Sequence, residues 1–188
     1  MRVYIIRHGE SETNLSATYT GWMDVALTEK GKEDARRAGA MISGVKFDKI
    51  YSSDLHRAMH TAELAIPGCS YETSPMLREV CLGNLEGKLI ASLTDADRAN
   101  IAQNGYTVFG GESKETFHNR ISGFLQMLSE TNLDTVAVFA HGGWLRGMLD
   151  QVIGLPLPRN RILCNNCAIA IIEYTGEHWM LHSWMNLT

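Results

Sequence analysis

The chain lacks the features that mark several large classes of protein. Four cysteines in 188 residues are too few for a disulfide scaffold, and no Pro/Ser-rich linker, repeat or low-complexity tract is present. The longest apolar runs are about one strand in length, against roughly 20 residues for a membrane span, so no membrane association is predicted. With 17 basic and 21 acidic residues, the net charge of -4 argues against generic nucleic-acid binding.

Several enzyme motifs are missing as well. Gly31-Lys32 and Gly87-Lys88 are not followed by Ser or Thr, so neither forms a Walker phosphate loop, and no Gly-x-Ser-x-Gly elbow offers a serine nucleophile. His56 and His60 share the spacing of a metal-binding pair. However, the glutamate of the HExxH motif is absent and the neighbouring Arg57 disfavours a divalent cation. The sequence therefore predicts neither a metal nor a cofactor.

Two of the cysteines stand at a spacing found in redox and zinc sites, in Cys164-Asn165-Asn166-Cys167. A structural zinc site would need a second pair of ligands, and His178 and His182 fit poorly in distance and predicted strand setting. We therefore expect small residues that pack near the start of a strand.

What the chain does contain is two apolar strands that each end in histidine. Val3-Tyr4-Ile5-Ile6 runs into Arg7-His8-Gly9-Glu10, and Val136-Ala137-Val138-Phe139-Ala140 runs into His141-Gly142-Gly143. Apolar runs of this kind are typical of strands buried on both faces of a parallel sheet, and ligands bind at the carboxyl ends of such strands. The two imidazoles are therefore predicted to converge on one reacting group.

The remaining pattern indicates a single domain over residues 1–188. Strands that alternate with helices and end in an antiparallel edge predict a three-layer α/β fold with a mixed, mostly parallel sheet. The first apolar run is interrupted by charged residues and follows no basic leader, so a cytoplasmic location is expected. We predict strands at 3–6, 50–53, 69–73 and 135–140, and a hairpin of 168–174 and 178–184. We predict helices near 29–43, 113–130 and 143–153, a helix capped by Ser53 or Asp54 and stopped by Pro67-Gly68, and a weaker helix around 88–103. A polar loop is expected after the first strand, and a loop-rich stretch at 76–87.

Arg7, His8 and Asn14 combine groups that suit an anion site with a nucleophile inside it. A guanidinium pairs with phosphate through two charge-assisted hydrogen bonds, and a neutral imidazole can attack phosphorus. Arg57 stands in the first turn of a predicted helix, where backbone N–H groups also favour an anion. The four residues together predict phosphate chemistry.

Transfer of a phosphoryl group from a substrate oxygen also needs a proton donor. Glu79 lies among glycines in the loop-rich stretch rather than on a regular solvated face, which makes it the leading candidate. Glu10 and Glu86 remain rivals for this role.

An ordered series of motifs resembles the phosphoglycerate mutase-like branch of the histidine phosphatase superfamily along nearly the whole chain. A single Arg-His-Gly would be a weak signal, but the blocks follow one another in the family's order. They are Arg7-His8-Gly9-Glu10 with Asn14, Thr20-Gly21-Trp22, Leu27-Thr28-Glu29-Lys30-Gly31, Ser52-Ser53-Asp54-Leu55-His56-Arg57-Ala58, Leu77-Arg78-Glu79 with Gly83 and Glu86-Gly87, Gly111-Glu112-Ser113, and His141-Gly142-Gly143.

The resemblance implies that His8 is phosphorylated and that Glu79 acts as acid and base. It further implies a family-like fold and a small phosphorylated metabolite as substrate, and it leaves formation of a homodimer open. Other branches place an aspartate directly after the second histidine, where this chain has Gly142, which strengthens the assignment to Glu79. The residues implied to hold the phosphoryl group are Arg7, Asn14, Arg57, His141 and Gly142.

Departures from the glycolytic mutases favour a monofunctional phosphatase. Those mutases have an aromatic residue soon after the acid/base glutamate, where this chain has Val80-Cys81-Leu82, and an asparagine at the position of Gly143. Their basic insertion is reduced here to a stretch from 88 to 110 with Lys88 and Arg98 as its cations. A cofactor-dependent phosphoglycerate mutase is the alternative enzyme. A non-catalytic phosphate-binding module on the same fold is the alternative outside enzymes.

Overall fold

The computed structural model describes residues 1–154 and 162–187. The strands in these ranges are β1 Arg2–Arg7, β2 Lys49–Ser52, β3 Glu72–Thr73, β4 Thr135–Ala140, β5 Ile169–Tyr174 and β6 Trp179–Met185. They form one sheet in the order β3-β2-β4-β1-β5-β6. The first four strands pair in parallel, whereas β5 is antiparallel to β1 and β6 is antiparallel to β5.

Helices cover both faces of this sheet. They are α1 Glu12–Leu15, α2 Glu29–Ile42, α3 His56–Ala65, α4 Asp95–Asn104, α5 Lys114–Ser129 and α6 Gly142–Ile153. Because successive side chains of a strand point to opposite faces, Ile5 and Val138 pack into one apolar cluster with α5 and α6. Ile6 and Phe139 pack into a second cluster with α2 and α3. The predicted three-layer α/β fold with a mixed, mostly parallel sheet is confirmed.

The order of the strands positions the functional end of the sheet. β4 lies between β1 and β2, and the register pairs Arg7 with Ala140 and Ser52 with Phe139. The three parallel strands therefore end at the same edge. The residues that follow them, His8, Ser53 and His141, are carried to that edge together.

The long helices begin and end within one residue of the predicted bounds, and the predicted hairpin is formed by β5 and β6. Thr28 caps α2 by accepting a hydrogen bond from the backbone N–H of Gly31 at 3.0 Å.

Three local predictions were less accurate. The polar loop contains the short α1, and only Glu72–Thr73 of the predicted edge strand pairs with β2. The helix predicted around 88–103 begins only at Asp95. Thr94 and Asp97 form a capping box there, which stops the helix from extending towards residue 88. No helix in the described ranges has the length and apolar character needed to cross a membrane.

Candidate active site

The two histidines predicted to converge are brought together at the ends of β1 and β4. The backbone N–H of His8 donates to the carbonyl of Ala140 at 2.9 Å, which ties the two strand ends to each other. Only 4% of His8 is exposed, His141 is fully buried, and their ring centroids are 5.1 Å apart. Both imidazoles therefore line one enclosed site.

The hydrogen bonds of His8 define its tautomer. Nδ1 lies 2.7 Å from the carbonyl oxygen of Gly9, which can only accept, so Nδ1 carries the proton and donates it there. Nε2 then bears the free lone pair. Burial, followed by the charges of Arg57 and Arg7, holds the pKa of His8 well below its ordinary value. The ring is therefore neutral and nucleophilic around neutral pH.

Arg57 is held in place by the polar loop that precedes α2. Its two terminal nitrogens donate to the carbonyls of Gly21 and Met23, each at 2.8 Å, and only 1% of the residue is exposed. Burial lowers its pKa to about 10, and the carboxylate of Glu79 opposes that shift. The guanidinium is still positively charged at neutral pH.

Arg7 approaches the site from the end of β1. Its Nη1 donates to the carbonyl of Cys164, and burial is the main cause of its lowered pKa. A Cβ on Gly142 would lie 3.1 Å from Nε of Arg7, so the absence of a side chain at residue 142 makes room for the guanidinium. Gly142 is also the first residue of α6, where backbone N–H groups lack helical partners.

His141 is oriented by a residue that sequence reasoning did not single out. Its Nε2 lies 2.8 Å from Oγ of Ser53, the residue that follows β2. Burial and then the charge of Arg57 lower the pKa of His141 well below its ordinary value. Its Nδ1 is buried and has no hydrogen-bond partner in the described residues.

Unpartnered buried atoms are concentrated in this site. Among the residues that the structure describes, the buried side-chain nitrogens and oxygens without a partner are Nε of Arg7, Nε of Arg57, Nδ1 of His141 and Nε of Arg146. Leaving one such group unsatisfied costs about 1–3 kcal/mol. Unpartnered nitrogens on three guanidinium groups and one imidazole are an arrangement expected where an anion binds.

Asn14 contributes an amide to the same site. Its Oδ1 accepts from the backbone N–H of Ser11 at 3.1 Å and from Nδ2 of Asn166 at 3.0 Å. Because Ser11 N–H can only donate, the orientation of the amide is settled. Nδ2 of Asn14 is then the atom that can donate to an anion.

The segment Cys164-Asn165-Asn166-Cys167 is hydrogen-bonded to the backbone of His8. Asn166 Nδ2 and the backbone N–H of Cys167 donate to the carbonyl of His8, at 3.1 and 3.3 Å. Cys164 and Cys167 are free thiols, and burial raises the pKa of Cys167 to about 12. The segment therefore acts here through its backbone and amide groups. No group of three or more potential metal-ligating side chains is found within residues 1–154 and 162–187.

Glu79 reaches the site from the loop after the short strand β3. Its Oε1 accepts from the backbone N–H of Val80, and its Oε2 from that of Gly143, both at 2.9 Å. A Cβ on Gly143 would lie only 2.1 Å from Oε1, so the carboxylate occupies the space that a side chain at residue 143 would need. Glu79 also acts on the pKa of both Arg7 and Arg57, which places its charge close to theirs.

The two rival carboxylates are occupied elsewhere. Oε1 of Glu10 accepts from the hydroxyl of Thr28 at 2.8 Å. Oε1 of Glu86 accepts from the backbone N–H groups of Trp22 and Leu82, at 2.9 and 3.2 Å. Of the three carboxylates, Glu79 is the one that is among the main charges acting on the pKa of both Arg7 and Arg57, so the geometry favours Glu79 as the proton donor.

Sequence reasoning missed the residues that hold the Glu79 loop. Arg120 donates to the carbonyls of Met76, Arg78 and Glu79 and forms a two-pronged ion pair with Glu112 at 3.1 and 2.9 Å. Trp22 Nε1 donates to the Glu79 carbonyl at 2.7 Å. Trp22 and Glu112 belong to motifs noted in the sequence, but neither was assigned this role. Arg120 carries no local signal, because an arginine on a helix is usually solvated.

Comparison with known proteins agrees with this geometry. The sequence profile of the histidine phosphatase superfamily (branch 1) matches residues 3–187. A protein of Salmonella paratyphi A described as probable phosphoglycerate mutase GpmB is 31% identical over 195 residues, which cover 98% of this chain and 90% of that protein.

Two solved structures share the fold over nearly their full length. One is the phosphoserine phosphatase of Entamoeba histolytica in complex with 3-phosphoglyceric acid, with a TM-score of 0.87, 26% identity, and coverage of 100% of this chain and 98% of that one. The other is the α-ribazole phosphatase of Shigella flexneri, with a TM-score of 0.87, 26% identity and coverage of 99% and 96%. The motif series, the strand-end site and these matches agree, and this chain therefore belongs to the histidine phosphatase superfamily, branch 1.

Proposed function

We propose that this protein is a metal-independent phosphatase that hydrolyses a small phosphomonoester through a phosphohistidine on His8. The observation that carries the proposal is the free Nε2 of a neutral, buried His8 beside buried cationic donors that lack partners. The phosphoryl group is held by Arg7, Asn14, Arg57, His141 and Gly142. Preorganised donors of this kind stabilise the charge that develops on the equatorial oxygens.

In the first step, Nε2 of His8 attacks phosphorus and the bond from phosphorus to the ester oxygen breaks. Glu79, in its protonated form, gives its proton to the departing oxygen, so that the alcohol leaves neutral. The Gly9 carbonyl continues to accept from Nδ1 and supports the positive charge that the ring acquires.

In the second step, water attacks the phosphohistidine. Glu79, now ionised, takes a proton from that water, and the electron pair of the phosphorus–nitrogen bond returns to Nε2. The products are inorganic phosphate, a neutral His8 and a protonated Glu79, so the enzyme is ready for the next substrate molecule. No metal ion enters either step.

Phosphoglycerate mutase is the second candidate, and the name of the Salmonella relative is the observation that favours it. Two observations argue against a mutase. Val80-Cys81-Leu82 contains no aromatic residue, and the guanidinium of Arg98 is already bound to backbone carbonyls. That arginine of the 88–110 stretch donates to the carbonyls of Ile90 and Leu93, at 3.3 and 3.4 Å. The names of the Entamoeba and Shigella structures support a phosphatase.

One assay separates the two enzymes. The protein is mixed with 3-phosphoglycerate and a bisphosphate primer in the presence of EDTA, and both 2-phosphoglycerate and free phosphate are measured over time. We expect phosphate release to exceed isomer formation by at least about tenfold, because nothing in the proposal shields the phosphohistidine from water. Rapid isomer formation with little free phosphate would establish the mutase instead.

Gly143 provides a test of how Glu79 is positioned. In Gly143→Ala the new Cβ forces the flexible Glu79 carboxylate out of place while the backbone is unaffected, so we expect kcat/KM for an alkyl phosphate to fall about 10- to 100-fold. Gly44→Ala is the matched control, since nothing lies within 4 Å of a Cβ at residue 44. Steady-state kinetics and the melting temperature are measured for both variants. Full activity in Gly143→Ala would show that the Glu79 position is not critical.

A further inference from the structure

The hydroxyl of Ser53 lies against the ring of His141. Ser53 follows β2 and is fully buried, and its Oγ is 2.8 Å from Nε2 of His141. The same Oγ accepts a hydrogen bond from the backbone N–H of Leu55 at 3.3 Å. Among the residues that the structure describes, Leu55 and His141 are the hydrogen-bond partners of this hydroxyl. These two contacts therefore determine where its single proton points.

The proton of the Ser53 hydroxyl points to Nε2 of His141. A hydroxyl has one proton to donate and two lone pairs that accept. The backbone N–H of Leu55 can only donate, so it occupies one lone pair. If Nε2 carried a proton, it would occupy the other, and the buried hydroxyl proton would have no acceptor among these partners. Leaving such a donor unpaired costs about 1–3 kcal/mol, a cost that is avoided when the hydroxyl donates to Nε2.

The ring proton of His141 is then on Nδ1. Burial, followed by the charge of Arg57, lowers the pKa of His141 well below its ordinary value, so the ring is neutral and carries one proton. Because Nε2 accepts from Ser53, that proton belongs to the other nitrogen. Nδ1 has no partner in the described residues, so no contact there opposes the choice that Ser53 imposes.

We infer that Ser53 is a positioning residue that fixes the Nδ1–H tautomer of His141, and that this N–H donates to the phosphoryl group. The inference rests on the proposed function, because that function places the phosphoryl group against His141. Nε2 is occupied by Ser53, so Nδ1 is the ring nitrogen left for a phosphoryl oxygen. The two neighbouring rings thus have opposite parts: His8 presents a lone pair to phosphorus, and His141 presents a proton to an oxygen.

The tautomer is measured directly and without substrate. The seven histidines are labelled with ¹⁵N, and long-range ¹H–¹⁵N NMR spectra are recorded at neutral pH in a buffer without phosphate. The variant His141→Asn identifies the signals of His141. We expect Nδ1 of His141 to have the chemical shift of a protonated nitrogen and Nε2 that of an unprotonated one. A proton on Nε2, or on both nitrogens, would overturn the inference.

Ser53→Ala removes the hydroxyl that selects the tautomer. We expect part of the His141 population to change to the Nε2–H form, which a free imidazole prefers. In kinetics with an aryl phosphate, kcat/KM should fall about 10- to 100-fold, less than for loss of a whole preorganised donor. Ser52→Ala is the matched control, because it removes a buried hydroxyl that donates to the carbonyl of Ser53 at 2.9 Å. It should keep the Nδ1–H form, and an unchanged tautomer in Ser53→Ala would refute the role of Ser53.

A double-mutant cycle separates positioning from a general structural role. If Ser53 acts through the imidazole, Ser53→Ala should change kcat/KM little further once His141→Ala has removed the ring. A structural role predicts the same fold-loss in both backgrounds, and that result would contradict the inference. Circular dichroism and the melting temperature verify that the variants are folded. The spectrum of the wild-type protein decides the tautomer even if Ser53→Ala does not fold.

The tautomer and turnover can fail independently. If the wild-type protein hydrolyses no phosphomonoester but His141 has the Nδ1–H form and loses it in Ser53→Ala, the phosphatase proposal fails and the role of Ser53 in setting the tautomer stands. If esters are hydrolysed and His141 carries its proton on Nε2, the assignment of Ser53 fails and the phosphatase remains.

Discussion

His8→Ala is expected to lower turnover of a chromogenic aryl phosphate by at least about 10⁴-fold, which is in the range seen when a catalytic nucleophile is removed. An aryl phosphate has a good leaving group and hardly needs a proton donor, so its hydrolysis isolates the nucleophilic step. Alanine keeps the backbone N–H bond from His8 to Ala140 and removes only the imidazole. We therefore expect a folded protein without activity.

The covalent intermediate gives an independent measurement of the same prediction. After brief exposure to a labelled phosphomonoester, the wild-type protein should carry acid-labile, base-stable phosphate, and His8→Ala should carry none. His182→Ala, at an exposed histidine of β6, is the matched control and should be labelled normally. Undiminished turnover in His8→Ala would exclude the mechanism. An unlabelled wild-type protein without turnover would point to a non-catalytic phosphate-binding module.

Glu79→Gln is expected to separate the two steps of the reaction. The amide is similar in shape to the carboxylate but cannot give or take a proton, so kcat/KM for an alkyl phosphate should fall about 10²- to 10⁴-fold. For an aryl phosphate, kcat/KM reports the first step and should change little. Hydrolysis of the phosphohistidine still needs a base, so the aryl product should appear in a burst of about one equivalent of enzyme before a slow steady state.

Rapid-mixing kinetics with the two substrates measure both effects. Glu86→Gln and Glu10→Gln are the matched controls, because their carboxylates are bonded to Trp22, Leu82 and Thr28. Both should show far smaller, substrate-independent changes. Equal losses of kcat/KM on alkyl and aryl phosphates in Glu79→Gln would assign the acid elsewhere, with Glu10 as the next candidate.

Local pattern was sufficient for the elements that form the core. β1 and β4 read as apolar runs because they are buried on both faces, and α2, α5 and α6 have apolar residues at helical spacing. The local sequence pattern did not predict the ends of an element where these depend on a few competing hydrogen bonds. The late start of α4 at Asp95 is set by the Thr94 capping box, and β3 is limited to two residues.

The residues of the candidate site were predictable for a similar reason. His8 and His141 each follow an apolar strand, and the motif series around Arg7, Arg57 and Glu79 follows the family's order. Ser53, Arg120 and Arg146 were not predicted as parts of the site. Ser53 and Arg120 are common residue types whose partners are distant in the chain, as Ser53 and His141 show at 88 positions apart. Arg146 has a buried Nε without a partner among the described residues.

The sequence by itself determined the fold class and the family and singled out His8 as the candidate nucleophile, because these depend on residue types and their order along the chain. The tertiary structure decided which atoms meet: that Nε2 of His8 is the free nitrogen, and that the absence of a side chain at Gly143 makes room for Glu79. Such facts arise from packing between segments far apart in the chain, and a tautomer, a steric fit or an unsatisfied donor exists only once those segments are in contact.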